Sequence, residues 1–127
     1  MKKEVNPNDL DDAIKYYSKT YKQEIDKKDL FLQSIEFESP KELLKDIYVP
    51  EVREGELDVS YGREKIIEKL NEIEIRRFKR IINNFFDGKL TPAIQINGKL
   101  CDGFGRCILY HALGKKILVA KFFLITI

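Results

Sequence analysis

Apolar residues fall at helical spacing in some stretches of this chain and alternate in others, and that pattern lays out most of its elements. Leu10, Ala13, Ile14, Tyr17 and Tyr21 recur at helical intervals behind Asn6-Pro7. A capping side chain followed by proline suits a first helical turn, so a helix is predicted over about 7–22. Leu30-Phe31-Leu32 begins a short apolar segment, and Ile35-Glu36-Phe37-Glu38 alternates as a strand does. Ser39-Pro40-Lys41-Glu42 combines an N-cap, a first-turn proline and a capping-box glutamate, predicting a short helix through Ile47 that Pro50 keeps from continuing far. Residues 51–62 are polar and turn-rich, with a short strand expected at 57–59.

From Arg63 the helical signal is strong. Ile66, Ile67, Leu70 and Ile73 form one stripe, while Ile75, Phe78, Ile82, Phe85 and Phe86 form a second, slightly out of phase. The mismatch predicts two helices, or one kinked near 73–75, ended by Asp87-Gly88. Leu90 to Ile96 leads into a strand, Asn97-Gly98 is a tight hairpin signal, and Leu100-Cys101 is the return strand. A helix over about 105–113 stops at Gly114, and Ile117 to Ile127 is a strongly β-prone ending. Helices and strands mixed in this order predict an α+β fold with a small mixed sheet.

Composition narrows the class. With 127 residues, 43% hydrophobic and 35% charged, the chain is expected to form a single domain with a real core. No apolar run approaches a membrane span, and Met1-Lys2-Lys3-Glu4 carries no apolar signal segment, so the expected location is the cytoplasm. Cys101 and Cys107 are the two cysteines and His111 the one histidine, a set without zinc-ligand spacing. Net charge is +2, yet residues 1–60 hold 10 basic and 15 acidic side chains (−5) and residues 61–127 hold 13 and 6 (+7). The basic half fits a polyanion partner, and it fits equally a surface that meets the acidic half.

Chemistry is suggested chiefly by Cys101-Asp102-Gly103-Phe104-Gly105-Arg106, where a short strand turns through glycines into a helix. Glycine lets the backbone turn sharply, helix-start amides favour an anion, and the Arg106 guanidinium suits phosphate or carboxylate. Asp102 fits either a catalytic acid or base or a helix cap, and Arg106 fits either an anion site or a structural ion pair. A second candidate is the basic row Arg76, Arg77, Lys79 and Arg80, which fits a nucleic-acid backbone or a solvated helix face. Tyr16, Tyr17 and Tyr21 fit a stacking surface or, more simply, a packed stripe.

Read in order, the second half resembles the ParB/sulfiredoxin superfamily. The likeness is carried by Arg63 to Leu70, by Gly88-Lys89-Leu90-Thr91-Pro92-Ala93-Ile94, and by Asp102-Gly103-Phe104-Gly105-Arg106 with Leu113-Gly114 and Ile117-Leu118-Val119. It implies a ParB/sulfiredoxin-like core over 51–127, with Glu72 to Phe86 an extension within it and 1–50 a helical N-terminal extension. By position, Gly103 and Arg106 match the family's phosphate-binding glycine and arginine. Asp102 matches an acid that acts with a metal or as a base. Phe104 stands where sulfiredoxins carry their reactive cysteine, and Gly105 where many members carry histidine or a second arginine. The resemblance therefore implies a nucleotide- or phosphate-binding domain, with Gly103, Gly105 and Arg106 holding phosphates and a nucleoside triphosphate with Mg²⁺ as cofactor. NTP hydrolysis or phosphoryl transfer through Asp102 is the implied reaction. The alternatives are a non-enzymatic regulator that binds DNA, through Arg76, Arg77 and Arg80, or a protein partner; and a Mg²⁺-dependent nuclease pairing Asp102 with Glu51, Glu54, Glu56 or Asp58.

Overall fold

Asn6 Oδ1 accepts from the Asn8 amide at 2.8 Å, Pro7 takes the first helical position, and α1 runs over Pro7–Tyr21 as its spacing predicts. These are features of a computed structural model, which describes residues 5–45, 57, 62–69 and 72–125, without the side chains of 67, 69 and 72–77. A short 3-10 turn at Lys27–Asp29 follows, then β1 (Leu30–Glu38), α2 (Pro40–Leu44), α3 (Gly62–Lys69), α4 (Glu72–Phe86), β2 (Ala93–Ile96), β3 (Lys99–Asp102), α5 (Phe104–Ala112) and β4 (Ile117–Leu124). The fold is α+β: helices with a four-stranded mixed sheet of order β1-β4-β2-β3.

The chain divides into two compact units. One comprises residues 1–38, 91–104 and 118–127, the other 39–90 and 105–117. The first holds α1 and the sheet. In it β2 runs parallel to β4, with Ile94 beside Ala120 and Ile96 beside Phe122, and antiparallel to β3. Asn97 and Gly98 both have positive φ, +49° and +75°, which a two-residue hairpin turn between β2 and β3 requires. Helix α1 lies against β2 and β3. Its Ala13 and Tyr17 join Ile94, Ile96, Cys101, Ala120 and Phe122 in a buried core.

The strand β1 is one continuous element of nine residues rather than two segments. Leu30 and Ile35 both pack toward the α1 core, although five positions apart they fall on opposite faces of a regular strand. On the neighbouring β4, Phe123 meets Phe31 at 6.0 Å and Lys121 bonds both Glu36 and Glu38. Phe123 and Lys121 share a face of β4, so Phe31 and the two glutamates share one as well, again across an odd step. The alternation of β1 therefore inverts between Phe31 and Ile35, as a bulge does.

The second unit is helical. Leu57, Ile66, Phe78, Ile82, Leu109, Ala112 and Leu113 form its core, and the Leu57 amide donates to the Ala112 carbonyl at 2.8 Å. The out-of-phase pattern falls on two helices, α3 and α4, with Ile73 of the first stripe already inside α4. Both glycine stops work by one device. Lys89 and Gly88 donate to the carbonyls of Asn84 and Phe85, and Lys115 and Gly114 to those of Tyr110 and His111, with Gly88 at φ +73° and Gly114 at φ +66°. These paired bonds satisfy carbonyls that a helix end leaves unpaired. Helix α2 ends at Leu44; the end expected at Ile47, Pro50 and most of the strand expected at 57–59 lie outside the described residues, while Leu57 is buried in a bend.

Candidate functional site

Strand β3 ends at Asp102, Gly103 turns the chain with φ +92°, and α5 begins at once with Phe104. Gly103 thus stands at the cap position and Asp102 one residue before it. Gly105 and Arg106 lie in the first turn of a nine-residue helix. The boundary between the two units falls inside this corner, between Phe104 and Gly105.

The register of β3 carries a feature that the spacing of apolar residues did not announce. Gln95 pairs with Leu100 but Ile94 pairs with Asp102, so Cys101 is an extra residue on β3. Without that bulge Asp102 would fall opposite Ala93; with it, Asp102 is re-aimed opposite Ile94 just before the chain turns. Cys101 itself enters the α1 core. Burial pushes its thiol up to about 12, so it stays a protonated, unreactive group whose Sγ donates to the Lys99 carbonyl at 3.2 Å. Cys107 is also a buried thiol.

Phe104 has a partner from the N-terminal helix. The Tyr16 ring lies 5.0 Å from it, tilted by 57°. Tyr17 is buried in the core and stacks obliquely on Tyr21 at 4.8 Å. Of the three tyrosines the sequence singles out, one packs inside and one covers the corner phenylalanine; helical spacing separates these roles only once the sheet is in place.

Gly105 is not among the glycines with positive φ. A Cβ there would meet Ile81 Cδ1 at 3.5 Å and Phe78 Cε1 at 3.6 Å, both on α4. Both are ordinary van der Waals distances, so α4 leaves room for a methyl group and the packing does not require glycine here. Arg106 is partly buried with its Nε inside, and it is already engaged within the protein. Burial raises the Tyr110 phenol above its ordinary value, and the Arg106 charge one turn earlier partly opposes that rise. Asp102 likewise has interactions within the protein.

The second candidate patch lies on α4. Lys79 and Arg80 are exposed there. Arg76 and Arg77 belong to the same helix, with side chains outside the described residues. Glu51, Glu54, Glu56 and Asp58, expected to help a metal, also lie outside them. Among the described residues no three His, Cys, Asp or Glu side chains gather as a metal cluster, and no helix is long and apolar enough to cross a membrane. No family model, curated protein or solved structure matches the chain.

Proposed function

We propose that this protein is a nucleotide- or phosphate-binding domain of ParB/sulfiredoxin type, with the β3–α5 corner as its anion site. One observation carries the reading: Gly103, in a conformation that favours glycine, delivers the end of β3 directly into α5 with Arg106 in the first turn. The free N–H groups and positive end of a helix start favour an anion, and Arg106 belongs to the same first turn. Phosphate is the natural occupant, and a nucleoside triphosphate with Mg²⁺ its fullest form. Asp102, re-aimed by the Cys101 bulge, is the group that would bind the ion or activate a hydroxyl in NTP hydrolysis or phosphoryl transfer.

Calorimetric titration of ATP, CTP and GTP with Mg²⁺ tests this reading. Saturable heat with at least one of them is expected, weakened roughly tenfold or more by Arg106→Ala, the scale of losing a charge-assisted contact. No heat for any nucleotide, or undiminished binding by the variant, overturns it.

The contact of Phe104 with Tyr16 favours a second reading, a non-enzymatic regulator. An aromatic pair at this position supports packing or partner binding and supplies no reactive group. If the partner is DNA, retention should fall with salt and vanish when Arg76, Arg77 and Arg80 become Ala together. Retention unchanged by the triple substitution removes the DNA version.

A further inference from the structure

We propose that a cleft at the C-terminal half of α1, separate from the β3–α5 corner, binds a small organic phosphate. Helix α1 ends with Lys22 in a left-handed conformation, φ +52°, and the chain turns back so that the Ile25 amide donates to Ser18 Oγ at 3.3 Å. Between the helix and this returning segment lies a cleft of about 600 Å³. That volume falls in the range of small-molecule sites, roughly 300–1,000 Å³, in a cleft that is open to solvent on one side.

The walls say what kind of molecule fits. Ile14 and Ile25 contribute the apolar surface, and Lys15 and Lys19 on α1 with Lys22 at its C-cap stand around it at one-turn intervals. Glu24 is the one acid on the lining. None of the three lysines makes a salt bridge among the described residues, whereas nearby Lys27 is paired with Asp11 at 3.1 Å. Like charges three and four residues apart oppose helix formation, so this grouping does nothing for folding by itself. The helix dipole accounts for Lys19 in the last turn and for Lys22 just beyond it, but its effect has faded by Lys15. An anion in the cleft offsets all three charges. A phosphate head among the lysines, with an apolar body on Ile14 and Ile25, matches both kinds of wall. No residue of the corner lines this cleft.

The test is a backbone-amide NMR titration of the full chain with phenyl phosphate, inorganic phosphate and benzyl alcohol. Phenyl phosphate should shift the amides of Ser18, Lys19 and Ile25 saturably, more tightly than either probe lacking its ring or its charge. Lys19→Glu and Lys22→Glu, both at exposed positions, should each weaken it roughly tenfold, and Arg106→Ala should leave it unchanged. The idea is overturned if phenyl phosphate causes no saturable shift at these amides, or if the two charge reversals leave binding intact. It is overturned equally if the shifts centre on Gly103–Arg106 and vanish with Arg106→Ala; that result would favour the corner alone. Absence of nucleotide binding at the corner leaves this test untouched.

Discussion

At Gly103 φ is +92°, where an added Cβ meets its own backbone, while Gly105 sits in the first turn of α5 with no positive φ and room for a methyl group against Phe78 and Ile81. The two glycines of the corner are therefore expected to respond oppositely to alanine. Gly103→Ala should cost about 1–2 kcal/mol of stability through left-handed strain. Gly105→Ala should be neutral or gain up to about 1 kcal/mol, because alanine loses less backbone freedom in a helix and keeps the N–H that a phosphate would use. Denaturant midpoints at unchanged m-value separate the two outcomes. A large loss at Gly105 would mean the helix cannot accommodate the methyl group against α4. Asn97 offers a second contrast. Its Oδ1 accepts from the Leu124 amide at 3.0 Å, its own amide donates to the Phe122 carbonyl at 2.9 Å, and its Nδ2 reaches the Tyr17 hydroxyl at 3.5 Å. The hairpin residue thus ties the turn to β4 and α1. Asn97→Gly keeps the positive φ and removes only the side chain, so it should cost about 1 kcal/mol. Asn97→Ala adds left-handed strain and should cost about 1 kcal/mol more. Equal losses for both would show that the conformation contributes nothing. The turn itself is legible as Asn-Gly in the sequence; its ties are not, because they join residues 27 and 80 positions apart.

The strand β1 is fastened to β4 by Lys121, whose Nζ donates to Glu36 at 2.6 Å and to Glu38 at 2.5 Å. The hydrogen bond from Lys121, and then its charge, hold the Glu36 carboxyl below its ordinary value of 4.5. The bonds to Glu36 and Glu38 hold the Lys121 ammonium above its ordinary value of 10.5. A lowered carboxylate contributes stability that is complete above 4.5 and lost as pH falls through the lower folded value. A raised ammonium contributes stability that is complete below 10.5 and lost as pH rises through the higher folded value. The clamp is thus whole between these limits and opens outside them. Amide-exchange protection of β1, compared at about pH 3 and pH 6, should fall at the lower value in the native chain and lose that dependence in Lys121→Met. Equal pH dependence in the variant would assign the effect elsewhere. Elements of this kind are only half readable in advance. Helix α1, the two glycine-stopped helix ends and the hairpin follow from short-range patterns, and the structure has all of them. The β3 bulge and the inverted alternation of β1 do not follow from local spacing, so Cys101 and the re-aimed Asp102 leave no mark in it. The Asp-Gly-x-Gly-Arg corner is visible as letters, yet that Gly103 turns the backbone while Gly105 is an ordinary helical position with space for a methyl group beside α4 emerges only from the structure.

The chain passes between its two units four times, at 38/39, 90/91, 104/105 and 117/118, so neither unit is a continuous segment. One consequence of sheet order was written into the sequence: β4 is almost wholly apolar and lies inside the sheet, whereas β1, with Gln33, Glu36 and Glu38, lies at an edge. What spacing cannot supply is that the last strand returns to sit between the first and second. That order bears on whether residues 51–127 form a core to which 1–50 is merely added. In the sheet unit α1 covers Ile94, Ile96, Cys101, Ala120 and Phe122 with Ala13 and Tyr17, and β1 pairs along β4. Removing 1–50 uncovers that whole face and leaves β4 without one neighbour. Each large apolar side chain returned to water forfeits about 1.5–3 kcal/mol. Several together rival the whole margin of a small domain, about 5–15 kcal/mol. A fragment spanning 51–127 is therefore expected to show no cooperative thermal transition and to bind a hydrophobic dye, while the full chain unfolds cooperatively. Calorimetry and dye fluorescence on the two proteins side by side decide it. A sharp transition in the fragment, with the near-UV dichroism of a packed interior, would show instead that the second part folds alone and that α1 and β1 are accessories to it.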